Sequence, residues 1–220
     1  MPVEGIDVYE ENGSVDWAKV AAAGKRFAIC KVSEGDRPDR RFTRGRIDEV
    51  RRHGLIAGGY AFLRPRPGRT GAQEVHDFFW PAATAAGLWQ ADHQRVLDVR
   101  PALDVERSDF DTGTEAGRQA TIAYVSSAVD AIVELTHGRH PVIYAGAFWR
   151  ERIHPGSTFD CKLWYPEYGV GTPRLIPPPW GAPALWQFTE TGRVAGVHGD
   201  VDLDRYLGAG IEDFKRELCI

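Results

Sequence analysis

The chain has 220 residues, 43% of them hydrophobic and 26% charged, with a formal net charge of −4. That is enough apolar material to bury the core of one large domain or two small ones, and the acidic balance gives no general attraction to nucleic acid or to anionic membranes. No run approaches the roughly 18–20 consecutive apolar residues of a membrane span, and the opening MPVEGIDVYEENGS lacks the basic and apolar parts of a signal peptide, so synthesis as a soluble cytoplasmic product is expected.

In chain order, apolar runs suited to buried strands recur, each bounded by Gly, Pro or polar residues: EGIDVY, RFAICKVS, LIAGGYAFL, RPALDV, PVIYAG, CKLWYPEY, PALWQF and GVHGDVDL. Helical stretches lie between several of them. Ser14 is placed to cap a helix through VDWAKVAAAG, which Gly24 ends. Thr70 with Gln73, and Thr112 with Glu115, form capping-box patterns ahead of further helices, and Gly54 and Gly138 are natural stops. The basic cluster RPRPGR at 64–69 reads as a loop. Alternating strands and helices predict a parallel α/β sheet. Eight candidate strands with no linker or composition shift fit an irregular (β/α) TIM-like barrel in a single domain, 1–220, better than two domains. GTPRLIPPPWGAP is too Pro-rich to hold a helix, so one side of the barrel is expected to be thinly covered. An open doubly wound sheet is the alternative, but no G-x-G-x-x-G or P-loop follows a strand.

Strand alternation places Ala102, Asp104 and Glu106 on one face of RPALDVE, with Leu103 and Val105 on the other. If the apolar pair meets covering helices, both acids face the barrel interior at the C-terminal end of the strand, where barrel enzymes carry their chemistry. Asp7 in GIDVYE, Glu34 after FAICKVS, and Asp200, Asp202 and Asp204 in GVHGDVDLD add further acids at strand ends. A buried carboxylate without a partner is costly, so this pattern predicts a wet, acidic pocket. Two carboxylates in one cleft can have separated pKa values, leaving one protonated as a general acid and the other an anion, which glycosidic bond cleavage requires. Their spacing leaves retention or inversion open. Aromatic residues fit a sugar site: Tyr60, Tyr144 and Trp164 are assigned to the cleft, with Phe62 and Trp186 as further contacts. The cysteines Cys30, Cys161 and Cys219 show no metal spacing, His137 and His140 lack an H-E-x-x-H context, and no G-x-S-x-G is present, so neither a metal nor a cofactor is expected.

These motifs, in this order, resemble glycoside hydrolase family 25, the muramidases (lysozymes) of phage endolysins and bacterial autolysins. GIDVYEENGSVDWAKVAAAGKRFAICKVSEG is similar to the family's opening, with an early Asp, a D-W pair and K-x-[ST]-E-G. GLIAGGYAFLRP resembles its G-x-Y-x-F strand, PALDVE its D-x-E signature, and LWYPEYG with ALWQFTETGRVAGVHGDVDLDRY its closing elements. The resemblance implies a flattened, irregular barrel that hydrolyses the β-1,4 bond from N-acetylmuramic acid to N-acetylglucosamine in peptidoglycan without a metal. By position it makes Glu106 the general acid and Asp104 the partner that acts on the anomeric centre or orients the N-acetyl group. Asp7, Glu34 and Asp202 become supporting acids. Family members are treated as retaining, through a covalent or an acetamido-assisted intermediate. Two departures are visible: Ala61 where many relatives have His, and Tyr165, Pro166 and Glu167 where a small residue and an aromatic often follow L-W. A monomer acting on the cell wall after release or secretion, without a separate wall-binding domain, is expected. The alternatives are a glycosidase with shifted polysaccharide specificity and a catalytically dead, glycan-binding barrel.

Overall fold

The computed structural model describes residues 2–89, 97–106, 110–153 and 159–220. Eight strands close into a ring: β1 (Val3–Val8), β2 (Phe27–Glu34), β4 (Ile56–Phe62), β5 (Ala102–Asp104), β6 (Val142–Tyr144), β7 (Lys162–Pro166), β8 (Leu185–Gly192) and β9 (Val201–Tyr206). A two-residue strand, β3 (Arg37–Pro38), folds back on the end of β2. The chain is a single α/β domain.

Neighbours from β1 through β8 pair in parallel, but β9 runs antiparallel to both β8 and β1, which corrects the expectation of an all-parallel sheet. The reason is the length of the connection. A parallel crossover needs about a dozen residues or more, usually with a helix, whereas only residues 193–200 join β8 to β9. The strand itself also begins later than GVHGDVDL suggests.

Alternation divides the core in two. Ile6, Val8, Ala28, Cys30, Leu103, Val105 and Ile143 point outward beneath the helices, while Phe27, Ile29, Tyr60, Ala102, Val142, Tyr144 and Trp164 fill the barrel. Helices α2 (Arg44–Arg52), α3 (Gly71–Glu74) and α4 (Trp80–Ala85), the last two joined by a π-helical turn, and α5 (Glu115–Leu135) follow β2, β4 and β5. Between β7 and β8 the described chain has no helix, as the prolines require.

Two caps differ from the sequence expectation. Asp16, not Ser14, caps α1 (Trp17–Ala22) by accepting from Lys19 N at 3.1 Å. Thr114, not Thr112, caps α5 by accepting from Gly117 N at 3.0 Å. The Thr70–Gln73 capping box forms as expected. Gly71 lets α3 lie against α5: a Cβ there would stand 2.1 Å from the Tyr124 carbonyl oxygen.

The final helix, α6 (Ile211–Leu218), is absent from the sequence reading and closes the barrel at the N-terminal ends of the parallel strands. Phe214 stacks on Phe27 with ring centroids 4.9 Å apart and meets Tyr206 edge-on at 5.4 Å. The last residue then exchanges backbone hydrogen bonds with Asp98. With one end plugged by apolar rings, polar interior residues collect at the other.

Candidate active site

A cleft of about 420 Å³ opens at the C-terminal ends of the parallel strands. Asp7, Tyr60, Phe62, Asp104, Glu106, Tyr144, Trp164 and Asp202 line it, so the structure brings together eight of the ten residues singled out from the sequence. The other two stand outside. Glu34 lies past a bulge that shifts the β2–β4 register between Lys31 and Ser33, and it accepts from Lys31 Nζ at 2.9 Å and from Arg64 Nη2 at 2.6 Å. Burial opposes its charge, but those two cations win and hold its carboxyl below the usual range.

Trp186 is the clear correction. Leu185 belongs to the barrel interior and Gln187 reaches Asp7, so the residue between them points outward. Its indole N–H donates to the Glu167 carbonyl at 2.8 Å, with Arg205 over its ring.

At the cleft floor, Asp104 is paired in register with Phe62 on one side and Tyr144 on the other. It is only 7% exposed, and its Oδ1 has no hydrogen-bond partner. Burial first, and then the neighbouring Glu106, raise its pKa well above the usual range, against the pull of Lys31. Glu106 opens to the cleft two residues on. Desolvation by the cleft walls and the Glu190 carboxylate raise its pKa, while Lys31 and Arg64 oppose the shift. Both acids therefore favour protonation, and the first charge on either discourages the second.

A second acid group forms where β1 meets β9. The antiparallel register sets Asp7 opposite Asp202 and Asp204 opposite Gly5. Asp204 is fully buried; its Oδ1 accepts from the Trp164 indole N–H at 2.7 Å, and its Oδ2 has no partner. Burial is the main cause of all three upward shifts: Asp202 is pushed to about 8, Asp204 to about 7, and Asp7 well above the usual range. Mutual repulsion among the three adds to it. Gln187 ties this group to the opposite wall: its Nε2 donates to Asp7 Oδ2 at 2.8 Å, while its Oε1 accepts from Tyr144 at 2.9 Å and from Tyr168 at 2.5 Å. Trp164 stands between Tyr144 and Tyr60, edge-on to both.

Such a cleft, with paired acids that favour protonation, further carboxylates and aromatic walls, has the parts for acid-assisted cleavage of a sugar bond. A family model described as glycosyl hydrolases family 25 matches residues 6–197. The chain belongs to this family. Among curated relatives, lysozyme M1 of Streptomyces globisporus is 31% identical over 94% of this chain and 68% of its own length. The autolytic lysozyme of Clostridium acetobutylicum is 28% identical over 93% of this chain and 56% of its own length. Among solved structures, a bacterial lysozyme from Streptomyces coelicolor superposes with a TM-score of 0.81 at 28% identity, covering 96% of this chain and 94% of that one. This chain is thus a glycoside hydrolase with a family-25 barrel.

Several cleft residues were not singled out from the sequence. Lys31, Gln187 and Glu190 all line the family-25 cleft, beside Tyr168, one of the aromatics that the sequence places at a strand end. Alternation from Phe27 and Ile29 points to Lys31, and alternation from Leu185 points to Gln187; for Glu190, past the register shift after Gln187 in β8, the signal is weaker. Of the departures from the family pattern, Ala61 is buried in the outer layer and Tyr165 also faces outward, so neither enters the cleft. Pro166 does, packed against Gly146. Glu167 accepts from the Arg174 and Leu175 amides and fixes the Pro-rich segment. No group of three or more His, Cys, Asp or Glu among the described residues is arranged to hold a metal ion.

Proposed function

We propose that the chain is an N-acetylmuramidase that hydrolyses the β-1,4 bond between N-acetylmuramic acid and N-acetylglucosamine in peptidoglycan, and so acts on the bacterial cell wall. The single observation that carries the reading is the Asp104–Glu106 pair, Asp104 ending β5 at the cleft floor and Glu106 opening into the cleft just beyond it, both favouring protonation between aromatic walls. In the free enzyme, burial draws the pair's proton toward Asp104. A bound glycan changes that balance: it covers the exposed Glu106, desolvating it, while positive charge developing at the anomeric carbon favours an anionic Asp104. The proton then sits on Glu106, which donates it to the glycosidic oxygen as the bond breaks. Asp104 stabilises the anomeric centre or orients the N-acetyl group, and both routes use Glu106 alike.

Asp7 and Asp202 hold substrate and tune the charge of the cleft, and Glu34 acts from behind through Lys31. Tyr60, Tyr144 and Trp164 supply the floor, while Phe62 and the half-exposed Tyr168 offer ring faces to sugars. No helix among the described residues is long and apolar enough to cross a membrane. Lysozyme M1 and the N,O-diacetylmuramidase of a Chalaropsis species are similar over 94% of this chain, which supports the substrate class. Glu106→Gln tests the assignment: loss of the general acid is expected to lower kcat on peptidoglycan by about 10²–10⁴ with the far-UV circular dichroism unchanged. Cleavage at the wild-type rate would remove Glu106 from the mechanism.

A further inference from the structure

Five carboxylates among the described cleft-lining residues, those of Asp7, Asp104, Glu106, Glu190 and Asp202, face a single ammonium, that of Lys31. A buried acid pair with further carboxyls for neighbours tends to take up two protons, and a doubly protonated pair has a proton donor but no anion to support the anomeric carbon. The structure holds one positive charge firmly in place. Lys31 Nζ is 2.9 Å from Glu34 and lies 5.1, 5.8 and 4.8 Å from the ring centroids of Tyr9, Tyr60 and Phe62, with its side chain 11% exposed. Glu34 is shared with Arg64, so its anion orients Lys31 without being matched to it alone.

We propose that Lys31 is a positioning residue of the Asp104–Glu106 pair, its caged ammonium being the fixed positive charge that keeps the pair at one proton and one negative charge. This rests on the muramidase reading of that pair. Lys31 is the main favourable charge on both carboxylates, with Arg64 assisting at Glu106. The other carboxyls around the pair are Asp7 on β1, Glu34 on β2, Glu190 on β8 and Asp202 on β9, each of which opposes Lys31 when it ionises. Arg37 on β3, Asp39 just after it, and Glu10 and Glu11 after β1 line the adjoining small groove with Lys31 and Tyr9. Tyr144 and Tyr168 complete the far wall. Asp204 lies beneath Asp7 and acts through it.

The test is the pH profile of kcat/KM on peptidoglycan for wild type, Lys31→Met and Lys31→Arg, with folding checked by thermal melts. Loss of the ammonium raises both ionisations of the pair. Both limbs of the Lys31→Met profile are therefore expected to move to higher pH, by about one unit or more, with activity lost first on the acid side. Lys31→Arg is expected to restore the wild-type limbs. Should Lys31→Met not fold, Lys31→Gln takes its place as the neutral variant. A neutral variant that loses rate equally at every pH, or an arginine variant whose limbs move as far as the neutral one's, overturns the proposal. A wild-type enzyme that releases no muramic acid reducing ends overturns the muramidase reading and the proposal with it. Unmoved limbs alongside an active wild type overturn the Lys31 role alone.

Discussion

Asp204 offers a substitution whose effect reverses ordinary intuition about buried hydrogen bonds. Asp204→Asn keeps an oxygen for the Trp164 indole and puts an amide N–H₂ in place of the unpartnered Oδ2. The native carboxyl titrates at about 7 in the folded protein against an ordinary 3.8. Because the folded value is the higher one, the native state binds more protons between those pH values, and wild-type stability falls as pH rises from about 4 to about 7. At 1.36 kcal/mol per unit, a shift of about three units corresponds to about 4 kcal/mol. The group is fully buried, so solvent screening does little to reduce it. Urea denaturation at pH 4, 5.5, 7 and 8.5 measures the difference. The asparagine variant is expected to gain on wild type through that window, by about 1.4 kcal/mol per pH unit, and then to hold its advantage. Parallel stability–pH curves for the two proteins would show that Asp204 carries no proton at neutral pH.

Gln187→Leu removes three hydrogen bonds at once and strands two buried partners, Asp7 and Tyr144. At about 1–3 kcal/mol for each stranded group, a loss on the order of 3 kcal/mol is expected, seen as a fall in Tm of about 6–12 °C together with reduced kcat. Phe214→Ala empties the plug beneath the barrel and is expected to cost about 3–5 kcal/mol in chemical denaturation, although it lies at the opposite end from the cleft. Trp186→Phe should leave KM for peptidoglycan unchanged, because the indole faces away from the site; a raised KM would return it to the cleft.

Alternation in short strands made much of this fold legible. Leu103 and Val105 went under helices while Asp104 and Glu106 went inside, as the pattern of RPALDVE required. The same rule misplaced nothing at Asp7, Tyr60, Tyr144, Trp164 or Asp202. Trp186 departs from the expectation because phase, set by Leu185 and Gln187, and not aromatic character, decides which way its ring points. The reversed direction of β9 lay in a connection length rather than in the strand's own residues. The cap of α5 moved because two threonines, Thr112 and Thr114, stand two apart, and only the backbone decides which side chain reaches an amide. Lys31 and Gln187 were hidden for a different reason. Their importance comes from partners distant in sequence, Glu34 with the ring cage and Asp7 with two tyrosines, and no local motif displays those meetings.

The bond that is cut tests the central claim most directly. Purified protein is incubated with peptidoglycan, the new reducing ends are reduced with borohydride, and the reduced sugar is identified by mass spectrometry. Reduced muramic acid is the expected product. Reduced glucosamine would contradict the assigned bond, and no release of reducing ends would make the barrel a glycan binder rather than a muramidase.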